Sequence, residues 1–137
     1  MTRNNQNYDS GCPIAYGLSI FGDQWSLLII RDLAIKGVRT YGELLNGWEQ
    51  ISTNILAQRL KHLEDRGLLT KERDPENWRS FVYQLTEKGR DLAPVIAEIV
   101  LWSGKHNTAE HAMTETVDKV RGNRKQFEDR IRNGERP

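Results

Sequence analysis

The stretch that decides the fold runs from Ile51 to Leu69 and reads ISTNILAQRLKHLEDRGLL. Leu56, Leu60 and Leu63 recur at the i, i+4 and i+7 spacing of one helical face, so that face can be buried. The opposite face carries small or hydrogen-bonding side chains and one cation: Thr53, Asn54, Ala57, Gln58 and Lys61. Such side chains can contact base edges and phosphates, although a solvated face is the usual explanation for one helix taken alone. The flanking segments decide between these two interpretations.

Two helices are predicted ahead of this stretch. Pro13 suits the first position of the first helix, and Cys12 suits its N-cap. The segment QWSLLIIRDLAIKG predicts a second helix that is apolar on nearly every side and ends at Gly37. A helix with so few polar positions belongs in the centre of the core.

The opening stretch is the second half of a helix-turn-helix. Thr40 and Glu43 form a T-x-x-E capping box, which predicts a short third helix over YGELL. Ser52 is a natural N-cap for the helix that follows, and Gly67 ends it. Two helices of this size joined by a short turn make a helix-turn-helix.

Two strands are predicted directly after that unit. LLTKER and FVYQLT have strand character, and DPENWRS between them is rich in turn formers. A two-stranded hairpin in this place is a wing. Arg79 and Arg73 near its tip could enter a minor groove or hold a phosphate. Two neighbouring carboxylates, Asp74 and Glu76, could instead neutralise both arginines.

The remaining third of the chain predicts two helical segments. Thr86 caps EKGRDLAPVIAEIVLWSGKHN, a helix with a broad apolar surface that Pro94 should bend or start late. The charge-rich remainder predicts a helical arm whose last residues fray. The expected organisation is a flexible tail over residues 1–11, a winged helix-turn-helix domain over residues 12–105, and the arm over residues 106–137.

Composition narrows the class of protein. The single cysteine among 137 residues excludes a disulfide framework, and no apolar run approaches a signal peptide or membrane span. A soluble cytoplasmic protein without membrane partners is therefore expected. The net charge is +1, and residues 36–90 hold 10 basic and 8 acidic side chains. Any binding to DNA must then depend on where the cations lie and on the salt concentration.

The sequence contains none of the common catalytic motifs that we considered. The sequence has no G-x-S-x-G, no H-E-x-x-H, no phosphate-binding glycine loop and no cysteine cluster. His106 and His111 are five residues apart, roughly 140° around a helix, so they do not face one ion. We expect no enzymatic activity, no cofactor and no metal.

From Cys12 to about Trp102 the sequence resembles the HxlR family of bacterial winged helix-turn-helix transcription regulators, neighbours of the MarR type. Several motifs in the correct order and spacing carry the resemblance: CPI, GDQWSLLIIRDL, YGELL, ISTNILAQRLKHLEDRGLL and DPENWRSFVYQLTEKGRDL. The resemblance implies a mainly α fold with a small β wing (α+β). It also implies a homodimer, with double-stranded DNA as the partner.

The resemblance also implies which residues contact DNA. The helix from Ser52 to Lys61 would lie in the major groove, and the wing would place Arg79 at the adjacent minor groove. Arg59 would lie near phosphates or in an ion pair that braces the helix. The full predicted DNA-binding set is Thr40, Ser52, Thr53, Asn54, Gln58, Arg59, Lys61, Arg73 and Arg79. The dimer would form through the first helix and those after the wing, at Ile14, Leu18, Leu92, Ile96, Ile99 and Trp102.

Cys12 has two interpretations. At an N-cap its thiol faces unpaired backbone N–H groups and the positive end of the helix dipole, both of which favour thiolate. A free cysteine can equally be a small buried apolar residue. Some members of the resembled family sense quinones, aldehydes or oxidants through a cysteine in the same CP context, and others carry it without a shown role.

The link before the recognition helix departs from the family pattern. Gln50 stands where the family often has glycine, and Trp48 stands where a proline-containing turn is usual.

Three functional hypotheses remain open. The first is a dimeric repressor or autorepressor of a pseudo-palindromic operator. The second is a winged-helix protein-interaction module, and the third is a binder of an aromatic small molecule near Cys12, Tyr16 or Trp102.

Overall fold

The computed structural model describes residues 10–47 and 49–137. The predicted tail over residues 1–11 and the position of Trp48 therefore fall largely outside the described residues. The predicted fold class, mainly helical with a small β wing, is confirmed. The elements of the described part are α1 Pro13–Phe21, α2 Ser26–Ala34, α3 Tyr41–Leu45, α4 Thr53–Asp65, β1 Leu69–Asp74, β2 Asn77–Leu85, α5 Glu87–Arg90, α6 Ala93–His106, α7 Glu115–Gly122 and α8 Arg124–Arg132.

The central helix is α2, as its apolar sequence predicts. Ile29 and Ile30 are buried, and the helix packs against α1, α4 and β2. Its start is fixed by Asp23, whose Oδ2 accepts hydrogen bonds from the backbone N–H groups of Trp25 and Ser26, each at 2.9 Å. Gly37 lies beyond its end with φ of 68°, in the left-handed region that glycine adopts without strain.

Both helices of the helix-turn-helix begin at the predicted caps. The capping box of α3 is complete, with Thr40 and Glu43 bonded reciprocally, and Ser52 Oγ accepts the Ile55 N–H of α4 at 3.3 Å. The turn between the helices contains Gln50, whose φ of 55° is the only positive value among the described residues other than glycines. The family pattern of glycine at this position therefore has a backbone reason.

The wing pairs β1 and β2 antiparallel, from Leu69 opposite Leu85 to Asp74 opposite Asn77, with an irregularity after Arg73. The observed turn is shorter than the predicted turn DPENWRS, because β2 already begins at Asn77. Most of the predicted turn lies in the irregular part of β2, which is a β-bulge. The wing is anchored to the α2–α3 loop, since Tyr83 N–H donates to Arg39 O at 2.8 Å.

The long helix predicted after Thr86 is interrupted, as Pro94 indicated. It forms α5 and α6, with Pro94 in the first turn of α6, where its missing N–H costs no intrahelical hydrogen bond. The break lets α5 lie close to the start of β1. A Cβ at Gly89 would meet Leu68 O at 2.2 Å, so only glycine fits there.

The predicted arm forms two helices, α7 and α8, that share the core of the domain. Val120, Phe127 and Ile131 are buried in that core. A Cβ at Gly104 of α6 would lie 2.5 Å from Val117 Cγ1, which shows how closely α7 approaches. The end differs from the frayed segment expected, because Arg136 Nε donates to Ile35 O at 3.2 Å.

We predict that Gln50→Gly stabilises the protein. A side chain in the left-handed region costs about 1 to 2 kcal/mol, which exceeds the extra entropy cost of glycine, so the free energy of unfolding should rise by about 0.5 to 1 kcal/mol. Urea denaturation measures the change. Gln58→Gly, in the middle of α4, is the matched control and should lower the free energy of unfolding by about 1 kcal/mol. A loss of stability for both variants would contradict the assignment of strain to Gln50.

Candidate nucleic-acid interface

The outer face of α4 is exposed along its length. Thr53, Asn54, Gln58 and Lys61 all lie in solvent, while the leucine face below them is buried. Asn54 and Gln58 are one helical turn apart, so their amides point to the same side. Lys61 Nζ lies 3.4 Å from Asp65 Oδ2 in an exposed pair, and such pairs contribute little stability. Lys61 can therefore exchange this partner for a phosphate.

Arg59 braces α4 against the central helix. Its Nη1 lies 3.5 Å from Asp23 Oδ1, in the same carboxylate that caps α2. Burial alone would raise the pKa of Asp23, but hydrogen bonds from the Ser26 hydroxyl and two backbone N–H groups, together with the charge of Arg59, lower it. Of the two roles foreseen for Arg59, this geometry matches the bracing ion pair.

Two predicted contact residues are engaged as helix caps. Thr40 Oγ1 accepts from Glu43 N–H at 3.2 Å and donates to Glu43 Oε1 at 3.0 Å, which uses the hydroxyl within α3. Ser52 is exposed, and within the described residues its Oγ accepts from Ile55 N–H alone, so its hydroxyl proton can be donated to a phosphate. The role of both residues on DNA stays a prediction.

The two wing arginines differ in their surroundings. Arg73 Nη1 donates to Trp78 O at 2.6 Å, and its guanidinium lies 4.6 Å from the centre of the Phe81 ring. It is thus used to hold the bulge of the wing. Arg79 is exposed next to that bulge, with no side-chain partner in the described part of the chain. Of the two, Arg79 is the cation that can reach DNA without breaking a contact.

Two positioning contacts could not be read from the sequence. Tyr41 Oη donates to Thr53 O at 3.3 Å and so ties the start of α3 to the first turn of α4. Arg31 donates to Glu49 from both terminal nitrogens and connects α2 to the link ahead of α4. No sequence spacing indicates either pair, because the partners lie on different elements.

The six residues predicted for the dimer surface differ in their exposure. Ile14, Leu18 and Trp102 expose 72, 57 and 67 % of their surface, and Ile99 is also exposed. Ile96 is buried within one copy, which speaks against its predicted place in the interface. Leu92 is only partly buried against the core, so its assignment stays a prediction. The remaining four residues are exposed on α1 and α6, and we refer to them together as the outer apolar face.

Cys12 stands at the predicted N-cap of α1 and is exposed. Its thiol makes no capping hydrogen bond, and its backbone N–H donates to Ser10 Oγ at 3.2 Å. The interpretation as a buried apolar residue is therefore wrong. The thiol lies on the helix that carries Ile14 and Leu18, close to the outer apolar face.

Residues 20–111, the greater part of the chain, match the profile of the HxlR-like helix-turn-helix. The chain belongs to this family. It is a transcription regulator of the helix-turn-helix type. Members of this class are not enzymes. None of the helices in the described residues has the length and apolar character needed to cross a bilayer.

Similar proteins agree with this assignment. The HTH-type transcriptional regulator sll1512 of Synechocystis is 36 % identical over 85 residues, and the chain spans 62 % of its length, less than two thirds. YodB of Bacillus subtilis is 34 % identical over 93 residues; its reduced form is similar in structure with a TM-score of 0.57, covering 74 % of this chain and 98 % of YodB. The redox regulator HypR in its oxidised form is 26 % identical with a TM-score of 0.61, covering 69 % and 97 %.

The cap and ion pair of Asp23 predict how stability depends on pH. Because its pKa is lowered on folding, the charged carboxylate contributes stability above its unfolded value near 3.8, and this contribution is lost as pH falls through the lower folded value. Asp23→Asn should cost about 1 kcal/mol at pH 7 and progressively less between pH 4 and pH 2. Urea denaturation across this range measures the difference. Asp118→Asn, an exposed aspartate on α7, controls for the loss of one acidic side chain. A cost that stays constant with pH would show that the Asp23 charge is not what matters.

Proposed function

We propose that this protein is a dimeric repressor that reads a pseudo-palindromic operator through α4 and the wing. The observation that carries the proposal is the exposed polar face of α4, held in place by contacts at the start and the middle of the helix. Tyr41 and Ser52 fix its first turn and Arg59 fixes its middle, and none of these contacts uses Asn54 or Gln58. A repressor would act by occupying the operator, and an autorepressor would do so upstream of its own gene.

The side chains on α4 suit direct readout of bases. Asparagine and glutamine can bond bidentately to the N6 and N7 edge of adenine, so adenine is the first expectation opposite Asn54 or Gln58. Thr53 lies beside them on the same exposed face and can contact either a base or a phosphate. Each good bidentate contact discriminates against the wrong base by about 1 to 3 kcal/mol.

The charge distribution supports a small number of phosphate contacts. The net charge of the whole chain is +1, so no broad basic field attracts DNA. Lys61 and Arg79 are exposed on the recognition helix and the wing, and Arg59 and Arg73 are engaged within the protein. Each phosphate that is neutralised should contribute about −0.9 to the slope of log affinity against log salt.

The outer apolar face supports assembly as a dimer. Three of its four side chains have more than half of their surface in water, and such exposure is costly unless a partner covers them. A two-fold axis through this face would place two α4 helices on half-sites about 10 base pairs apart or a multiple. The described part of one copy presents a single α4, so a pseudo-palindrome requires this pairing.

Cys12 gives the second part of the proposal, a response to an oxidant or an electrophile. It is supported by the exposed thiol at the start of α1 and by the similarity to HypR, which is named a redox regulator. Modification beside the outer apolar face would alter the pairing of two copies and so the spacing of their recognition helices. Loss of operator binding on treatment with diamide, absent in Cys12→Ser, tests this response. Reversible binding of an aromatic molecule near Tyr16 or Trp102 would instead persist in Cys12→Ser.

The decisive experiment is fluorescence anisotropy with the intergenic DNA upstream of the gene and a scrambled duplex of equal length. The proposal expects the native duplex to be preferred by about a thousandfold, with binding that weakens steeply as salt rises. Absence of binding to either duplex at low salt would refute it and favour the protein-interaction module. Sedimentation of the same sample measures the dimer.

We predict that Asn54→Ala and Arg79→Ala have different effects. Asn54→Ala should relax preference at one position of each half-site, because it removes a base contact. Arg79→Ala should weaken binding to all sequences alike and reduce the salt slope by about one, because it removes a phosphate contact. Anisotropy with a set of single-base operator variants separates the two. Arg121→Ala, an exposed arginine on α7, is the control, and equal losses on specific and random DNA for both test variants would refute the division.

A further inference from the structure

A groove of about 550 Å³ lies between α2, α6 and the segment that leads into α7. Most of its wall is apolar, including Leu27, Leu28, Ile35, Ile96, Ile99 and Val100. Its volume falls in the range of pockets for small organic ligands, roughly 300 to 1,000 Å³. Neither the exposed face of α4 nor Cys12 contributes to its wall, and of the outer apolar face only Ile99 lines it.

An ion pair between Arg31 and Glu49 lies at one edge of the groove. Arg31 Nη1 donates to Glu49 Oε2 at 3.0 Å, and Arg31 Nη2 donates to Glu49 Oε1 at 2.7 Å. This is the parallel, two-bond geometry with which guanidinium groups bind carboxylates. The side chains of Arg31 and Glu49 are 24 % and 36 % exposed, so the pair can be reached from the groove.

The charges around the groove favour an anion. Four basic side chains line it, Arg31, Lys36, Lys119 and Arg136, against the two carboxylates Glu49 and Glu115. Subtracting two from four leaves +2, and counting buried Asp32 behind Arg31 still leaves +1. Burial would lower the pKa of Arg31, but the hydrogen bonds that it donates to Glu49 and Asp32 raise that pKa, so Arg31 stays charged. An apolar wall with a cationic edge is complementary to a molecule with an apolar body and one acidic group.

We propose that this groove binds an amphipathic organic carboxylate, whose carboxylate replaces Glu49 at Arg31. The exchange is non-covalent and conserves the two hydrogen bonds on Arg31, while the apolar body of the ligand covers the leucine and isoleucine wall. Glu49, released to solvent, keeps its charge. The ligand thus occupies the place of a side chain that belongs to the link ahead of the recognition helix.

The exchange would affect α4 because Glu49 lies three residues before its N-cap, Ser52. Between them stands Gln50, held at φ of 55°, a strained conformation that persists only while its surroundings enforce it. Removal of the Glu49 tie allows the link to relax and α4 to lose its fixed start. DNA and ligand would then each weaken binding of the other by the same factor. This coupling rests on the proposed function, whereas ligand binding in the groove does not.

Titration with 2-naphthoate, followed by calorimetry of the full chain, tests the site. We expect saturable binding, with the uncharged analogue 2-naphthamide at least about tenfold weaker because it lacks the charge-assisted pair with Arg31. Arg31→Gln should abolish the preference for the acid. Equal affinity for acid and amide, or no binding of either, would overturn the proposal.

Glu49→Gln gives a result that a merely structural role would not produce. The variant keeps Arg31 but replaces the Glu49 carboxylate, which competes with the ligand for Arg31, by an uncharged amide. We therefore expect 2-naphthoate to bind several-fold more tightly and the operator to bind more weakly. Glu98→Gln is the matched control, since Glu98 pairs with Arg124 away from the groove and the charge change is the same. Unchanged or weaker naphthoate binding in Glu49→Gln would overturn the exchange.

Hydrogen exchange separates this inference from the proposed function. Amides of residues 49–55 should exchange faster when 2-naphthoate is bound, whether or not the protein binds the operator tested. A protein that binds no duplex yet shows this change would lose its proposed function and keep the groove assignment. A sedimentation profile in which Glu49→Gln alters the dimer, without naphthoate binding, would assign the groove to a second copy and overturn the inference.

Discussion

Burial of the leucine face of α4 against the central helix is the contact on which the rest of the structure depends. Leu56 and Leu63 are fully buried and Leu60 is nearly so, in one cluster with Ile29 and Ile30 of α2. Each such side chain contributes about 1.5 to 3 kcal/mol relative to an exposed one. The same contact forces the opposite face outward, because a helix that buries one stripe must expose the other. Stability and the surface that we propose for reading DNA thus come from a single packing arrangement.

Apolar packing holds α4 against the core but does not fix its direction. Three polar contacts supply that constraint: Arg59 with Asp23 in the middle of the helix, Tyr41 with Thr53 at its first turn, and Arg31 with Glu49 on the link before it. The partners lie ahead of α2 (Asp23), on α3 (Tyr41) and on α2 (Arg31), so α4 and its link are held from three places. An α4 held in this way can present Asn54 and Gln58 at a defined angle. The link is the part of this arrangement that carries strain, since Gln50 has a positive φ.

The fold was accessible from the sequence wherever it depends on local signals. The capping box at Thr40, the N-cap at Ser52, the break at Pro94 and the helical period of α4 are each written in neighbouring residues, and all are confirmed. The sequence pattern failed where partners are distant. It placed Ile96 on the dimer surface, because an apolar residue on a helix does not reveal which neighbour covers it. It left the end of the arm frayed, because the contact between Arg136 and Ile35 joins residues about one hundred positions apart.

The arm explains why only part of α6 can serve a partner. Gly104 allows α7 to approach α6 closely, and α8 packs on the same helix, so the inward side of α6 is already covered within one copy. Ile99 and Trp102 are left on the outward side, together with Ile14 and Leu18 of α1. An apolar surface that its own chain leaves open, on a protein with a net charge of only +1, favours association over solvation. The small net charge is therefore compatible with DNA binding if the protein forms the proposed dimer. Two copies would double the number of exposed cations on α4 and the wing, while the net charge would stay too small to attract every polyanion.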